Sequence, residues 1–489
     1  MASDRLEADV VVVGAGPVGL MLAGELALGG ADVVVLEKRR APSTESRAST
    51  LHARTMEILD SRGLLCDLGT PPNEPGGHFG GIPLPLTLPS PHPGQWKVPQ
   101  TKTEGVLEEW AISLGADIRC GHELTSLSET EQYVGAEAEG RDGTLSLRAR
   151  YLVACDGEDS TVRLLTGAAF PGEDARRELL RADVEGIEVP NRRFQRLDQG
   201  LAIAWRREDG VTRVMVHEFG SRAHPRTGEA RFEEIADVWK RVTGEDISGG
   251  TPLWVNSFGD ASRQLTDYRH GRILFAGDAA HRQMPIGGQA LNLGLQDAFN
   301  LGWKLALHLR GPAPAGLLDT YHTERHAVGG RVLANIRAQA LMLLGGPEVE
   351  PLRSVLGELI VQEDVRAHLA GMVSGLDVHY DVAGPGHPLG GLRLPETVLL
   401  AGEGTVTTTE LLRKGHGLLL DLRAGAGHPL PDTAGWSDRV RVVAALPEQD
   451  SPLEGAGTVL VRPDGHVAWA GSGHAGLRQA LERWFGPSR

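Results

Sequence analysis

Residues 8–37 read ADVVVVGAGPVGLMLAGELALGGADVVVLE, and the architecture of the chain follows from this stretch. Ala8 to Val13 is a nearly unbroken β-branched run, the pattern of a strand covered on both faces in a parallel sheet. Gly14-Ala15-Gly16-Pro17-Val18-Gly19 then places three glycines at G-x-G-x-x-G spacing, at the start of an Ala/Leu-rich helix that reaches about Leu28. Such glycines permit a tight turn, close backbone approach to a pyrophosphate and close helix packing, while the helix N-terminus offers N–H groups to the anion. Gly29-Gly30 ends the helix. A second strand, Asp32 to Glu37, finishes on an acid 23 positions after Gly14, where a carboxylate accepts ribose hydroxyls. The complete β-α-β unit calls for a dinucleotide without separating FAD from NAD.

Two later motifs separate them. Tyr151 to Cys155 reads as a buried strand running into Asp156-Gly157-Glu158-Asp159-Ser160-Thr161-Val162-Arg163. Arg272 to Ala276 is another, running into Gly277-Asp278-Ala279-Ala280-His281 and then Met284-Pro285-Ile286-Gly287-Gly288-Gln289-Ala290-Leu291-Asn292. Each puts an aspartate at the carboxyl end of a buried strand, the usual ligand position in an open α/β sheet, where it can accept from a ribityl or ribose hydroxyl. The amphipathic segment Leu291 to Leu309 would aim its N-terminal N–H groups at whatever lies over the glycines. A reduced flavin, negative at its pyrimidine edge, suits that position. The blander readings are that Asp156 and Asp278 cap the helices that follow, that His281 is a structural donor, and that Arg54 makes a packing salt bridge.

Taken together, these motifs resemble those of the single-component (group A) flavoprotein aromatic hydroxylases, the p-hydroxybenzoate and phenol hydroxylase family, from about Ala8 to Gly390. Within that family Ser46-Arg47-Ala48, Leu51 to Glu57, His78 to Pro83, Val98-Pro99-Gln100 and Arg462-Pro463-Asp464-Gly465 are similar to actinobacterial aromatic polyketide hydroxylases of the angucycline type. The resemblance implies that Gly14, Gly16, Pro17 and Gly19 hold the FAD pyrophosphate, with Glu37 and its neighbour Lys38 at the adenosine ribose. Arg47 and Gln100 would add phosphate and ribityl contacts, and Leu124 would meet the adenine through its backbone. Asp156 is linked to FAD and NADPH, Asp278 to ribityl, and Pro285, Gly288, Ala290, Leu291 and Asn292 to the isoalloxazine. Ala290 stands where the family usually has glycine. No side chain is singled out as catalytic.

Composition sets the limits. At 489 residues and 41% hydrophobic the chain can build two or three cores, since cores beyond ~250 residues normally split. A formal charge of -15, with no basic cluster longer than Lys38-Arg39-Arg40, argues against nucleic acid or an anionic membrane as partner. Cys66, Cys120 and Cys155 form no Cys-x-x-Cys pair, which gives neither a disulfide framework nor a metal site. No apolar run reaches the ~18 residues of a membrane span, and the first periodic segment begins by Ala8, so a cytoplasmic protein is expected.

Gly76 to Pro99 is rich in Gly and Pro, while Leu201 to Arg206 and Val211 to Phe219 alternate like antiparallel strands. The resemblance implies that these regions form a sheet that roofs the flavin and holds substrate. Trp96, Phe79, Trp205, Phe219, Trp254 and Phe258 are candidate walls for a flat molecule, with core packing as the plainer role. Past Pro385-Gly386-His387-Pro388, strands at Leu418–Leu422, Val440–Leu446, Thr458–Val461 and Val467–Ala470 with a closing helix Leu477–Phe485 resemble a thioredoxin-like domain. The expected fold is therefore α/β plus β. A discontinuous Rossmann-like FAD domain (1–75, 100–175 and 262–390) carries an antiparallel substrate domain (76–99 and 176–261), followed by a thioredoxin-like domain (391–489) lacking Cys-x-x-Cys.

The function implied is hydroxylation of a polycyclic phenolic polyketide by FAD, with NADPH as transient co-substrate and dioxygen as oxidant, through a flavin C4a-hydroperoxide. Baeyer–Villiger insertion and quinone-forming oxidation share every motif above. A flavin-binding redox protein without turnover is a rival of another class, and the sequence leaves homo-oligomerisation open.

Overall fold

The computed structural model describes every residue except 1–5, 42–47, 224–227, 229, 312, 383–385, 403, 424–431 and 474. The opening stretch folds as strand Leu6–Val13, helix Pro17–Leu28 and strand Val33–Glu37. Around it a parallel sheet runs in the order Ile273–Phe275, Gly143–Ala154, Leu6–Val13, Val33–Glu37, Asp117–Cys120, with Arg269–His270 antiparallel at one edge. Val10 to Val13 and Val33 to Leu36 are buried, as a sheet covered on both faces requires. The helix Pro17–Leu28 is apolar on every side because it lies between the sheet and the helices Gln100–Ser113 and Gln289–Arg310.

The strand expected at Tyr151 to Cys155 is longer than its buried run. It spans Gly143–Ala154, and its first half pairs with an antiparallel meander, Glu123–Glu129 and Val134–Gly140. Only the part joining the parallel sheet is apolar on both faces, so only that part shows as a continuous run.

The second sheet is antiparallel, in the order Arg192–Leu197, Gly200–Arg206, Thr212–Glu218, Glu178–Glu185, Thr251–Gly259. Its alternation divides the side chains between two faces. Leu180, Ala182, Val184, Val214 and Val216 pack against the helix Phe232–Thr243 through Ile235 and Trp239. Leu179, Leu201 and Ile203 turn the other way, onto Met284, Ile286 and the helix Asp319–Leu344 through Ile336. Residues 76–99 do not join this sheet. Gly76–Phe79 and Ile82–Pro85 form a hairpin of their own, and Gln95–Lys97 pairs with Thr50–His52. The prolines at 83, 85, 89, 91 and 93 keep the chain between them out of a longer ladder. Leu51 and His52 accordingly lie in a strand, and the helix that follows begins at Ala53.

The last part of the chain orders its strands Val440–Ala444, Gly417–Asp421, Thr458–Val461, Val467–Gly471, the first pair parallel and the others antiparallel, with helix Leu477–Phe485 packed on the sheet. This is the thioredoxin-like order. The turn Arg462-Pro463-Asp464-Gly465 plugs this unit into the rest of the protein. Arg462 donates from Nη1 to Glu324 Oε1 at 2.6 Å and from Nη2 to Glu324 Oε2 at 2.9 Å, and it also pairs with Asp464. Lys304 Nζ reaches Glu324 Oε2 at 2.7 Å, and Trp303 Nε1 donates to Asp464 at 3.1 Å. Among the described residues no helix is long and apolar enough to cross a membrane.

Candidate cofactor site

The registers Val13 with Ala154, Ala154 with Phe275 and Val13 with Leu36 align four parallel strands at their carboxyl ends. Gly14, Asp156, Asp278 and Glu37 therefore emerge along one sheet edge. Three interstrand steps of ~4.8 Å make that row roughly 14 Å long, enough for the sugars on either side of a pyrophosphate.

The three glycines have different jobs. Gly14 sits at φ 102°, and a Cβ there would lie 2.4 Å from the Cys155 carbonyl oxygen. A Cβ on Gly19 would lie 1.9 Å from the Gly14 oxygen, so both positions are demanded by the protein itself. Gly16 is the exception: a Cβ there would meet nothing within 4 Å among the described residues. The space beside it is open at the N-terminus of a helix of 12 residues, which is the cradle an anionic bridge would fill.

Glu37 is almost fully buried. Its Oε2 accepts from Ala15 N at 2.8 Å, and its Oε1 from Arg39 N at 2.8 Å and Arg39 Nε at 2.9 Å. Burial alone would raise its pKa, but these bonds and the Arg39 charge outweigh it and hold the carboxyl below its usual range. Three of about four acceptor positions are used, leaving one for a ribose hydroxyl. Lys38 is exposed beside it, and Leu124 is buried on the edge strand next to a shift in register at Glu137/Ala138. Gln100 accepts from Ala48 N at 3.2 Å and donates to Glu104 at 2.9 Å, tying down the segment that follows Arg47. Arg47 itself lies outside the described residues.

The two aspartates differ. Asp156 Oδ2 does accept from Val162 N at 3.0 Å, as a helix-capping acid would, but its Oδ1 is buried without a partner. The helix Thr161–Thr166 is capped by Ser160, which accepts from Arg163 N. Asp278 caps nothing: among the described residues no donor bonds its carboxylate. Its side chain is open to solvent, yet it stands in a cleft crowded by protein. That crowding raises its pKa, with the neighbouring Glu158 and Asp297 adding to the rise. Such a group is ready to accept from a ligand hydroxyl. Asp278→Ala should weaken FAD binding by about 1–3 kcal/mol; an FAD titration followed by flavin fluorescence checks this, and unchanged affinity would remove Asp278 from the site.

Gly287 and Gly288 take φ 63° and 70° in succession, and Gly288 caps the helix Gln289–Arg310. This loop is pinned from behind. Asn292 Oδ1 accepts from His52 N at 2.8 Å, while its Nδ2 donates to Thr50 O at 3.0 Å and Gly288 O at 2.7 Å. His52 Nε2 donates to Gly287 O at 2.7 Å, and burial pulls its pKa down to about 4, so the ring is neutral at pH 7. Asn292 therefore acts as a brace with its amide committed to protein, while Pro285 is exposed and Gly288, Ala290 and Leu291 are half-exposed along the loop. Sequence reading did not find His52 as the second brace, because its partners lie more than 230 positions away.

His281 takes the structural part. It is fully buried and bonds Asp297 Oδ2 at 2.7 Å; Asp297 also receives Arg325 Nε at 2.7 Å and Gly277 N at 3.2 Å. Arg54 pairs with Glu57 at 3.2 Å and donates to Asp464 O at 3.0 Å, the packing role weighed for it. The aromatic candidates divide as well. Phe79 and Trp96 belong to hydrophobic cores. Trp254 and Phe258 flank buried Arg181, whose guanidinium carbon lies 4.2 and 5.3 Å from their ring centres. Arg181 follows Leu179 by one alternation, on the sheet face that meets Met284 and Ile286.

Comparison with known proteins agrees with this geometry. Residues 7–336 match the family model described as FAD binding domain, and residues 387–488 that described as aromatic-ring hydroxylase, C-terminal. The chain is 42% identical to the rifampicin monooxygenase of Streptomyces venezuelae, over 98% of each chain. It is 40% identical to 12-dehydrotetracycline 5-monooxygenase/anhydrotetracycline 6-monooxygenase of Streptomyces rimosus, covering 98% of this chain and 99% of the relative. The crystal structure of CabE, an aromatic hydroxylase from angucycline biosynthesis, superposes with TM-score 0.93 at 49% identity, over 99% of this chain and 100% of that one. A Rossmann-like cradle with a row of acids, a braced glycine loop and these matches across almost the whole length establish that the chain belongs to the FAD-dependent aromatic-ring hydroxylases, a family of flavoprotein monooxygenases.

Proposed function

We propose that this protein hydroxylates a polycyclic phenolic polyketide, using dioxygen and NADPH. The observation that carries the reading is the inner face of the antiparallel sheet, where Arg181 is held between Trp254 and Phe258 and Leu179 and Phe258 pack toward the loop before Gly287. Aromatic faces suit a flat ring system, and a guanidinium beside them stabilises a phenolate oxygen over the neutral phenol. A phenolate is already nucleophilic, so positioning is the main work left for the protein, worth ~7–11 kcal/mol of barrier.

When bound, FAD would supply the redox chemistry, taking a hydride from the nicotinamide and activating dioxygen. Gly14, Gly16 and Gly19 would hold its pyrophosphate, Glu37 and Asp278 its sugar hydroxyls, and the loop Pro285–Gly288 its ring system. The helix beginning at Gln289 presents its positive end there and favours negative charge on the ring. Met284 and Ile286, both buried against the sheet, keep water from that side of the loop. His281, spent on Asp297, is left to hold the loop in place.

Turnover of a multi-ring phenol under labelled dioxygen decides the reaction. One labelled atom in a new hydroxyl or quinone carbonyl is the expected result. A labelled lactone ring oxygen would move the assignment to Baeyer–Villiger insertion, and no label in any product would sink oxygenation.

A further inference from the structure

The hairpin of Gly76–Phe79 and Ile82–Pro85 meets the antiparallel sheet at Phe194. Alternation along its first strand sends Phe79 into the core with Leu84 and Met342, so His78 turns the other way. Its ring lies against that of Phe194, with the centres 4.0 Å apart. Phe194 in turn packs with Ile203, Met215, Met284 and Ile286, on the sheet face that looks toward the flavin loop. It is held there at φ 50°, on a bulge where the strand Arg192–Leu197 slips against Gly200–Arg206. A bulky residue stays in that backbone region when its surroundings fix it, and bulges often re-aim a side chain beside a site.

The proton on His78 has one place to be. The backbone N–H of Gly81 can only donate, so His78 Nδ1 accepts from it at 3.2 Å. Burial, helped by the charge of Arg193 and by His52, pulls the His78 pKa down to about 4, so the ring is neutral at pH 7 and carries its hydrogen on Nε2. Among the described residues nothing bonds Nε2 and nothing seals it in. It is a fixed donor, already protonated and therefore unable to act as a base at neutral pH.

Arg181 stands at the other end of the same row. Across the sheet Arg181 pairs with Met215, Met215 with Ile203, and Ile203 faces the bulge that carries Phe194. Three interstrand steps of ~4.8 Å set the two ends roughly 14 Å apart. Met215 and Ile203 give the row an apolar floor, and Phe194, Met215, Trp254 and Phe258 are each half-exposed, so protein does not fill the space above it. One aromatic ring cannot touch both ends of such a row. A fused multi-ring system can.

We propose that the substrate is gripped at both ends, its phenolate oxygen by Arg181 and, across the fused rings, a second oxygen that accepts from His78 Nε2. The grip rests on the reading of this face as the substrate site. It makes His78 the residue that selects compounds oxygenated at both ends over those oxygenated at one.

The test is titration of the FAD-loaded full chain, followed by flavin absorbance, with 2,6-dihydroxyanthraquinone and with 2-hydroxyanthraquinone, which lacks the second terminal oxygen. The parent should bind the dihydroxy compound about tenfold more tightly. His78→Phe, which keeps a ring against Phe194, and His78→Leu should each bring that ratio close to one while FAD content and affinity for the monohydroxy compound stay as in the parent. His78→Gln, which restores an N–H donor, should recover most of the preference. The parent's ratio should hold at every pH well above 4, because the donor is the neutral ring. A ratio near one in the parent, or one that both donor-free variants leave unchanged, overturns the two-ended grip and leaves hydroxylation standing. Failure of either compound to bind the parent overturns the grip together with the assignment of this face to substrate. The expected ratios in a protein that puts no labelled oxygen into any product would sink hydroxylation alone.

Discussion

Replacing Arg462 with methionine should destabilise the protein by about 3–5 kcal/mol, because it strands two buried carboxylates. Arg462 is fully buried and serves both Glu324 and Asp464, leaving Lys304 as the one cation among the described residues to balance them once it is gone. Burial by itself would raise the pKa of Glu324; Arg462 and Lys304 outweigh that and pull it down to about 2, and Asp464 is depressed in the same way. The sign follows from linkage. A carboxyl depressed in the folded state contributes stability that is present above its unfolded pKa and is lost as pH falls through the folded value. In the parent this loss should run from about pH 4.5 down to about 2. In Arg462→Met it should begin at higher pH, since the largest depressing charge is gone. Urea unfolding followed by tryptophan fluorescence at several pH values measures both effects, and an unchanged midpoint at pH 7 would show that the network does not bind the terminal unit to the rest.

Gly16→Ala and Gly19→Ala should part company, although the two glycines belong to one fingerprint. Alanine at 19 would press its Cβ to 1.9 Å from a backbone oxygen, which cannot move without opening the turn, so folded and FAD-loaded protein should be largely lost. Alanine at 16 meets no atom of the described residues within 4 Å, so the apoprotein should keep its stability to within about 0.5 kcal/mol. Its methyl group would instead occupy the space proposed for the pyrophosphate, costing about 1–3 kcal/mol, or roughly 5- to 150-fold in FAD affinity. Thermal unfolding of the apoprotein and FAD titration of each variant separate the two roles. Equal affinity in Gly16→Ala and the parent would place the anion elsewhere.

The elements and their order were legible wherever local pattern is dense. The β-branched run Val10 to Val13, the spaced glycines and the acid Glu37 together identify a dinucleotide cradle, because each is tied to its neighbours over fewer than 30 residues. The strands ending at Asp156 and Asp278 were legible for the same reason. Pairing across the Gly/Pro-rich segment 76–99 was not, since its short strands have no periodicity that names a partner, and the structure gives Gln95–Lys97 to Thr50–His52. His281 shows the limit at single residues: a histidine in a small-residue loop reads alike whether it serves catalysis or packing, and only the structure shows its ring fully buried with Asp297 at 2.7 Å.

The sequence alone determined the Rossmann-like cradle and the row of acids at strand ends, because strand and helix periods and turn glycines are local properties of a chain; the thioredoxin-like unit was implied by resemblance, and the strand order bears it out. Tertiary structure alone decided that Asn292 and His52 brace the Gly287–Gly288 loop, that Arg462 locks onto Glu324 across 138 positions, and that the relay from Gly80 leaves Gln289 Nε2 without a partner among the described residues. A buried polar group is stable only beside its partner, and that partner is chosen by which surfaces the finished packing brings together.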